Sequence, residues 1–426
     1  CIGTMLFTSI YGIVDGLCVS NFVGKTAFAA VNLIMPLPML LGTIGFMLGT
    51  GGSAIVGITL GEGDQKKADR YFTLFLLAAL VSVSVLAVLG IVFLRPIAVL
   101  LGAKGELLDY AVRYGRILMV SLPTFALQNM FQSFFVTAEK PHLGFWFTVG
   151  AGCTNMVLDV LMVGIWGWGV EGAAIATFIS QLVGGVLPVF YFIDRSNSSR
   201  LHLCKTSFYS KVLRDACING SSELMTNLSM SLVNILYNYQ LLRLAGENGV
   251  AAYGVIMYAA FLFVAVFVGY AVGSAPIVSF HYGARNHTEV HNLYRKSLRL
   301  IAVVAVTLTL ASMFIIPCVA RIFVGYDAEL LALTSRAFRL YALSFLIMGF
   351  NVYASSFFTA LGDGVTSALI SFLRTLAFQV IAILLLPLLL GIDGIWLAVT
   401  AAELAALAVS AAMLLTKDKV FHYRKA

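Results

Sequence analysis

The chain has 426 residues, of which 60% are hydrophobic and 11% charged, and its mean hydropathy is +0.94. A water-soluble protein of this length cannot bury so large an apolar fraction, so the composition indicates a protein embedded in lipid. The net charge of +7 would also suit nucleic acid, but most of the Lys and Arg residues fall in alternate loops, which is the pattern of a membrane protein.

Each membrane-spanning helix needs about 20 mostly apolar residues. Polar breaks divide the chain into twelve such segments, which predicts an all-α, multi-pass membrane protein. The predicted spans lie near residues 1–22, 29–58, 71–94, 110–136, 143–165, 172–193, 214–241, 251–280, 294–318, 332–358, 366–388 and 394–416. The first begins at Cys1 within an apolar stretch and without an initiator Met, so we expect part of that span to precede Cys1.

The two halves of the chain repeat each other 222 positions apart. Asn129 corresponds to Asn351, and the Ser-Phe-Phe-Val-Thr-Ala stretch at 133–138 corresponds to Ser-Ser-Phe-Phe-Thr-Ala at 355–360. A half-length repeat in an apolar chain is typical of transporters built from two related bundles. We therefore predict two pseudo-symmetric six-helix lobes, an N-lobe at 1–193 and a C-lobe at 214–426, with a polar linker at 194–213. A cavity is expected between the lobes.

The basic residues also predict an orientation. The linker and the tail after residue 416 are rich in Lys and Arg, which places both termini on the cytoplasmic side of a cell (inner) membrane. We expect a monomer in the lipid bilayer with no nucleic-acid partner. The six Cys residues have no paired spacing and are interpreted as small buried apolar residues.

Ionisable side chains inside membrane spans are costly and are candidate functional residues. Asp15 lies in predicted span 1 and Asp159 in span 5, where Asn155 shares its helix face one turn earlier. Thr177 in span 6 can add a hydroxyl. The oxygens of these side chains suit an alkali cation such as Na⁺. Two close carboxylates could equally share a proton, with the pKa of one of them raised. As a third alternative, each acid could simply satisfy an interhelical hydrogen bond.

The repeat separates this cluster from the scaffold. The residues 222 positions after Asp15, Asn155, Asp159 and Thr177 carry no acid; they are Tyr237, Ala377, Ile381 and Val399. The cluster is therefore confined to the N-lobe and is not needed merely to fold a bundle.

The chain resembles the multidrug and toxic compound extrusion (MATE) family of secondary transporters. The resemblance covers the whole chain and rests on Val14-Asp15-Gly16, Asn155-x-x-x-Asp159 and Gly172-Ala173-Ala174-x-Ala176-Thr177 in spans 1, 5 and 6. It implies that Asp15, Asn155, Asp159 and Thr177 bind Na⁺ or H⁺, with the carbonyl of Ala173 completing the site. It also implies that ion entry drives export of organic cations or drugs, with no cofactor beyond the coupling ion.

Glu223 begins a polar stripe on predicted span 7, continued by Asn227, Asn234 and Asn238. At 100° per residue these four lie within about 60° of one another, over about 22 Å of helix. The stripe suits either a wet cavity or helix–helix hydrogen bonds. Glu223 resembles a span 7 Glu of some family members, which implies a cargo role for it. Those members also carry an acid in span 10, where this chain has Phe350 and Asn351, so a second acidic ion site is not expected.

Three further residues are candidates for lining the cargo cavity, because Met and aromatic side chains adapt to varied apolar cations. They are Met35, Met257 and Tyr258. In the C-lobe, Arg374 in span 11 and Glu403 in span 12 are expected to neutralise each other as a structural pair, with a substrate or gating role as the alternative.

The leading hypothesis is a cation-coupled antiporter for multidrug efflux that works by alternating access. The alternative is a flippase for a lipid-linked precursor on a related twin-lobe fold, which would require a cationic central cavity. The chain lacks a zinc-protease motif, a nucleophile elbow and a phosphate-binding loop, so we do not expect an enzyme or an ATP-driven pump.

Overall fold

The computed structural model describes residues 1–10, 30–31, 33–194, 196–324 and 327–423. All regular secondary structure in these ranges is helical. The chain forms two compact units, Gly3–Gly220 and Ser221–Ala426.

In the described residues, the first unit contains a helical stretch that ends at residue 10 and seven α-helices beyond residue 35. A π-helical segment, π1 (Val160–Ile165), continues the fourth of these helices. The helices are α1 (Pro36–Gly61), α2 (Gln65–Leu100), α3 (Glu106–Thr137), α4 (Pro141–Asp159), α5 (Gly169–Gly185), α6 (Leu187–Ile193) and α7 (Ser210–Asn219).

The second unit begins with a long helical stretch that is interrupted at Gly246, whose φ of 62° only glycine adopts without strain. A second π-helical segment, π2 (Leu373–Ala377), links two of its helices. The helices are α8 (Ser221–Gly283), α9 (His287–Val324), α10 (Ala328–Ala342), α11 (Phe345–Ala360), α12 (Gly364–Phe372), α13 (Phe378–Leu390), α14 (Ile392–Thr416) and α15 (Asp418–Phe421).

Eight helical stretches in the described ranges are long and apolar enough to cross a membrane, and the pair α10–α11, bent by 46°, makes a ninth. Predicted spans 4 and 7 correspond to α3 and to the first part of α8, which are also helical. Most of predicted span 1, including Asp15, lies outside the described residues.

The helices repeat as the sequence does. Helix α2 begins at Gln65 and α9 at His287, again 222 positions apart. The caps repeat as well: Lys67 N donates to the Asp64 carboxylate at 3.0 Å, and Glu289 N donates to the Asn286 side chain at 3.2 Å. Each cap satisfies a backbone N–H group that has no partner within its helix.

The seventh predicted span, 214–241, requires a correction at its start. Residues 210–219 form the separate helix α7, and the next helix begins at Ser221. Helix α7 packs against α1 so closely that a Cβ on Gly220 would lie 1.9 Å from the Met47 carbonyl oxygen, and one on Gly51 would lie 2.1 Å from that of Ala216. This backbone contact requires glycine on both sides. Helix α7 belongs to the first unit, which extends to Gly220.

The predicted linker at 194–213 is bound to the first unit. His202 N donates to the Asp69 carboxylate at 3.0 Å, and Leu203 N donates to the Phe192 carbonyl at 2.9 Å. Leu201, which directly precedes these residues, is fully buried. This segment is therefore part of the packed structure.

The tail of the second unit makes the corresponding contacts. Tyr423, which is 222 positions after Leu201, is also fully buried. His291, which is 222 positions after Asp69, donates through Nδ1 to the Tyr423 carbonyl at 3.0 Å. The repeat therefore extends beyond the membrane spans into the segments that follow spans 6 and 12.

Candidate ion and cargo sites

Asn155 and Asp159 lie one turn apart at the end of α4. Their exposed fractions are 2% and 0%, so both polar side chains are taken out of solvent. No described residue accepts a hydrogen bond from Asn155 Nδ2. A buried amide donor without a partner costs about 1–3 kcal/mol.

The helix changes character directly after Asp159. Residues 160–165 form π1, in which Trp166 N donates to the Leu161 carbonyl, five residues earlier, at 2.8 Å. Single π-helical turns inside α-helices are rare and are frequent at functional sites. The carboxylate of Asp159 thus lies at a local irregularity of the backbone.

Helix α5 carries the two remaining described members of the predicted ion site. Thr177 donates through Oγ1 to the Ala173 carbonyl at 3.0 Å, and Ala173 is fully buried. Helix α5 packs against both α4 and π1. The structure therefore places Asn155, Asp159, Ala173 and Thr177 on two adjoining helices, whereas Asp15 falls outside the described residues, and joint coordination of an ion stays a prediction.

Two members of the polar stripe of α8 make hydrogen bonds within the second unit, and a cargo role for Glu223, Asn227 and Asn234 stays a prediction. Asn227 donates through Nδ2 to the Glu223 backbone carbonyl at 2.9 Å, and Asn234 accepts a bond from the Tyr253 hydroxyl at 2.7 Å. Glu223 is half-buried, while Asn234 and Asn238 are exposed. Of the stripe, Glu223 therefore remains the strongest candidate for contact with a charged cargo.

Arg374 and Glu403 form the predicted ion pair. Arg374 Nε lies 2.8 Å from Glu403 Oε1, and the side chains are 12% and 1% exposed. The prediction of mutual neutralisation is confirmed.

The partners of this pair were missed by the sequence analysis. Asn351 donates through Nδ2 to Glu403 Oε2 at 2.7 Å and to the Glu403 carbonyl at 2.9 Å, and Ser410 donates to Asn351 Oδ1 at 2.9 Å. Asn351 lies where some family members carry a span 10 acid. Here its side-chain amide donates a hydrogen bond to the carboxylate of Glu403 in span 12.

A buried cluster of hydroxyls lies between α11 and α12. Ser355 Oγ is 2.9 Å from the hydroxyls of both Ser367 and Ser371, and Thr359 Oγ1 is 2.7 Å from Ser367 Oγ. The sequence contains a pattern that could have indicated this cluster, because polar residues four positions apart share a helix face. The two runs are Asn351, Ser355, Thr359 and Asp363, and Asp363, Ser367, Ser371 and Thr375.

The three apolar cavity candidates differ in exposure. Met35 and Met257 are partly buried against the cores of the first and second units, and the Tyr114 hydroxyl lies 4.0 Å from Met35 Sδ. Tyr258 is 50% exposed. A cargo role for each of them stays a prediction.

The MatE family matches residues 1–161 and 224–385, well over half of the chain. This chain belongs to the MatE family. A MatE protein of this kind is a multi-pass membrane transporter and not an enzyme.

Several MatE relatives carry the name multidrug export protein MepA. The Staphylococcus saprophyticus protein is 21% identical over 98% of this chain and 92% of its own length. The Staphylococcus aureus strain MSSA476 protein has the same identity and coverage, and the Staphylococcus haemolyticus protein is 22% identical over 85% of this chain and 79% of its own.

Solved MATE structures share the fold of this chain. A MATE protein in complex with MaL6 superposes with a TM-score of 0.92 at 22% identity, over 99% of this chain and 94% of that chain. An outward-facing multidrug resistance MATE transporter gives 0.93 at 22% identity with the same coverage. The prediction of twelve helices in two six-helix lobes is confirmed, as is the predicted family.

A transporter from Pyrococcus furiosus, described as a member of the MOP superfamily, also superposes, with a TM-score of 0.91 at 23% identity over 100% of this chain and 95% of that chain. It is described as having a binding pocket of reversed polarity that suggests a different function.

Proposed function

We propose that this MatE transporter exports organic cations, including drugs, in exchange for Na⁺ or H⁺, with its two lobes alternating access between the sides of the membrane. The multidrug export role of the MepA relatives supports the cargo class. The observation that carries the coupling is the buried Asn155–Asp159 pair beside π1, which has Ala377 and Ile381 at the repeat-related positions.

In this mechanism the ion binds among Asp15, Asn155, Asp159 and Thr177, with the Ala173 carbonyl as a further oxygen. Binding of the ion neutralises the buried carboxylates. This lowers the free energy of one arrangement of the surrounding helices relative to the other. An ion drives transport only by such a difference in affinity between two states.

The charge near Glu223 favours cationic cargo over the pyrophosphate of a lipid-linked precursor. Arg374 is a buried cation in the second unit, but Glu403 neutralises it. Glu223 is a further acid of the second unit, and a carboxylate attracts a cation and repels a phosphate.

The test uses the full chain in liposomes loaded with ethidium, under an imposed pH gradient or an imposed Na⁺ gradient. We expect Asp15→Asn and Asp159→Asn to abolish gradient-driven transport while ethidium binding in detergent is retained. Glu171→Gln, which alters an exposed acid in the first turn of α5, is the matched control and should transport normally. Full transport by both Asp variants would refute the ion site.

The gradient that drives the wild-type protein identifies the coupling ion. Glu223→Gln tests the cargo contact separately, because it should weaken ethidium binding without changing which ion drives transport. Unchanged ethidium binding by this variant would remove Glu223 from the cargo site.

We also propose that the transporter is a monomer in the cell membrane with both termini in the cytoplasm. Ser196 lies in an exposed part of the segment after α6. In a background without native Cys, Ser196→Cys should react with a membrane-impermeant maleimide in inside-out vesicles and not in right-side-out vesicles. The opposite labelling would reverse the orientation.

A further inference from the structure

The linker runs alongside the beginning of α2 before it enters α7. Thr206 Oγ1 donates to the Arg70 carbonyl at 2.8 Å. The rings of Tyr71 and Tyr209 meet edge to face, with their centroids 5.5 Å apart. These contacts hold residues 206–209 against the first two turns of α2, so the side chains of both segments form one surface of the first unit.

This surface carries an excess of positive charge. Five exposed cationic side chains lie on the two segments, and none of them forms an ion pair with a carboxylate in the described part of the chain. They are Lys66, Lys67, Arg70, Lys205 and Lys211. The acids beside them on α2 and its preceding turn, Glu62, Asp64 and Asp69, are outnumbered. An anion is therefore the partner that this charge favours.

An apolar side chain stands among these cations. Phe208, between Lys205 and Lys211, is 75% exposed. Lys67 Nζ lies 5.7 Å from the centroid of the Tyr71 ring, so aromatic and cationic groups are interleaved here. Helix α2 is long and apolar enough to cross a membrane, and this surface lies at its first turns. Aromatic rings and basic side chains at the end of a span are typical of the level of the lipid headgroups.

The repeat shows that the cations on α2 are not needed to form the helix. The residues 222 positions after its three cations are Thr288, Glu289 and Asn292. Helix α9 begins at His287 with the corresponding cap and without those positive charges. The charge of this surface is therefore a property of the first unit alone.

We propose that this surface binds anionic phospholipid, with Lys67, Arg70 and Lys205 at the phosphate of the headgroup and Phe208 among the acyl chains. Lys and Arg form charge-assisted hydrogen bonds with phosphate oxygens, and each cation near an anionic leaflet adds to the attraction. A soluble phosphate would satisfy the cations but leave Phe208 in water. A phospholipid supplies both an anionic group and hydrocarbon. The inference goes beyond the proposed transport activity and does not depend on it.

The test uses the full chain in nanodiscs of phosphatidylcholine in which a minority of the lipid is phosphatidylglycerol. In a background without native Cys, Ser207→Cys places a bimane fluorophore on an exposed position beside Phe208. Brominated acyl chains, which quench bimane on contact, are carried by either lipid at the same mole fraction. We expect brominated phosphatidylglycerol to quench about twofold or more as strongly as brominated phosphatidylcholine. Both leaflets have the same composition, so the orientation of the chain does not affect the result.

Two double variants test the charges. Lys67→Gln/Lys205→Gln should make quenching by the two lipids equal, as should raising the salt concentration, because both remove the electrostatic attraction. Lys104→Gln/Arg116→Gln is the matched control, since it removes two exposed cations beyond the other end of α2 and should retain the preference. All four side chains are exposed, so both double variants should unfold at the wild-type temperature.

Phe208→Ser tests the apolar part. It should reduce quenching by both lipids while the preference for phosphatidylglycerol remains, because the anchor in the acyl chains is lost and the cations are not. Equal quenching by the two lipids in the wild type would overturn the inference, as would loss of the preference in the Lys104/Arg116 control. If inorganic phosphate at constant ionic strength removed the preference, the surface would be a site for soluble anions and the assignment to lipid would fail.

Discussion

Asn351 donates to both the backbone carbonyl and the side-chain Oε2 of Glu403, at 2.9 and 2.7 Å, and so joins spans 10 and 12 of the second unit through a fully buried amide. Hydrogen bonds to a charged group are the stronger kind, contributing about 1.5–3 kcal/mol each. This contact fixes the carboxylate that neutralises Arg374.

We expect Asn351→Ala to lower the free energy of unfolding by about 2–4 kcal/mol, because Glu403 then loses its amide partner in a buried site. The repeat provides the control. Asn129 lies at the corresponding position of the first unit, where no described residue accepts a bond from its Nδ2. Asn129→Ala should therefore cost less, as measured by thermal unfolding in detergent. Equal losses of unfolding free energy in Asn351→Ala and Asn129→Ala would contradict a stabilising role for the Asn351–Glu403 hydrogen bonds.

A second prediction concerns the contact of α7 with α1. Gly51→Ala and Gly220→Ala each place a methyl group against backbone atoms that cannot move independently, so we expect each to cost about 1–3 kcal/mol or to prevent folding. Gly150→Ala is the control, because its Cβ would lie 3.8 Å from the nearest atom, a Val183 methyl carbon. If the Gly220 variant unfolded at the wild-type temperature, the close approach of the two helices would be in doubt.

A third prediction follows from Asp363, which lies outside the spans. It caps α12 by accepting bonds from Thr366, and Lys417 Nζ lies 2.8 Å from its carboxylate. Burial alone would raise the pKa of Asp363, but the bonds from Lys417 and Thr366 outweigh it, so the pKa lies below its ordinary value.

Because the folded-state pKa is lowered, the stabilisation by ionised Asp363 is present above its unfolded pKa of about 3.9 and is lost as pH falls through the folded value. Asp363→Ala should cost about 1–2 kcal/mol at pH 7, mostly through the lost cap. Its difference from the wild type should shrink below about pH 4. Lys417→Gln is the control, because it retains the cap and should cost less unfolding free energy at pH 7. If the stability difference between Asp363→Ala and the wild type did not change with pH, the contribution of the ionised carboxylate would be contradicted.

A fourth prediction tests the hydroxyl cluster. Ser367→Ala leaves Ser355 and Thr359 each without one buried partner, so we expect a loss of about 1–3 kcal/mol in unfolding free energy. Thr307→Val is the control, because Thr307 is exposed and bonds the Val303 carbonyl of its own helix. Transport by Ser367→Ala should be normal if the cluster only holds α11 against α12.

The sequence predicted the parts of the structure that depend on local pattern and on the repeat. Apolar length identified the spans, and the rarity of charge in them identified Arg374 with Glu403. The partner of Glu403 was not predictable, because Asn351 is 52 positions away and the contact depends on how far each helix is rotated about its axis. Hydropathy does not determine that rotation.

The candidate ion site shows the same division. The spacing of Asn155 and Asp159 predicted a shared face, and both side chains are buried as that role requires. The π-helical turn after Asp159 was not predictable from the sequence, since its residues Val-Leu-Met-Val-Gly-Ile suit an ordinary helix equally well. Likewise, nothing in the polar composition of 194–213 indicated that His202 would bind Asp69.

That bound connector has a consequence for engineering the protein. A free tether of this length would keep two halves near each other only by raising their effective concentration. Here the residues around Leu201 adhere to the first unit through their own hydrogen bonds and burial. A protease site inserted at 196–198 should thus yield a nicked chain whose cut ends remain docked, which makes this loop a suitable place for affinity tags or fluorophores.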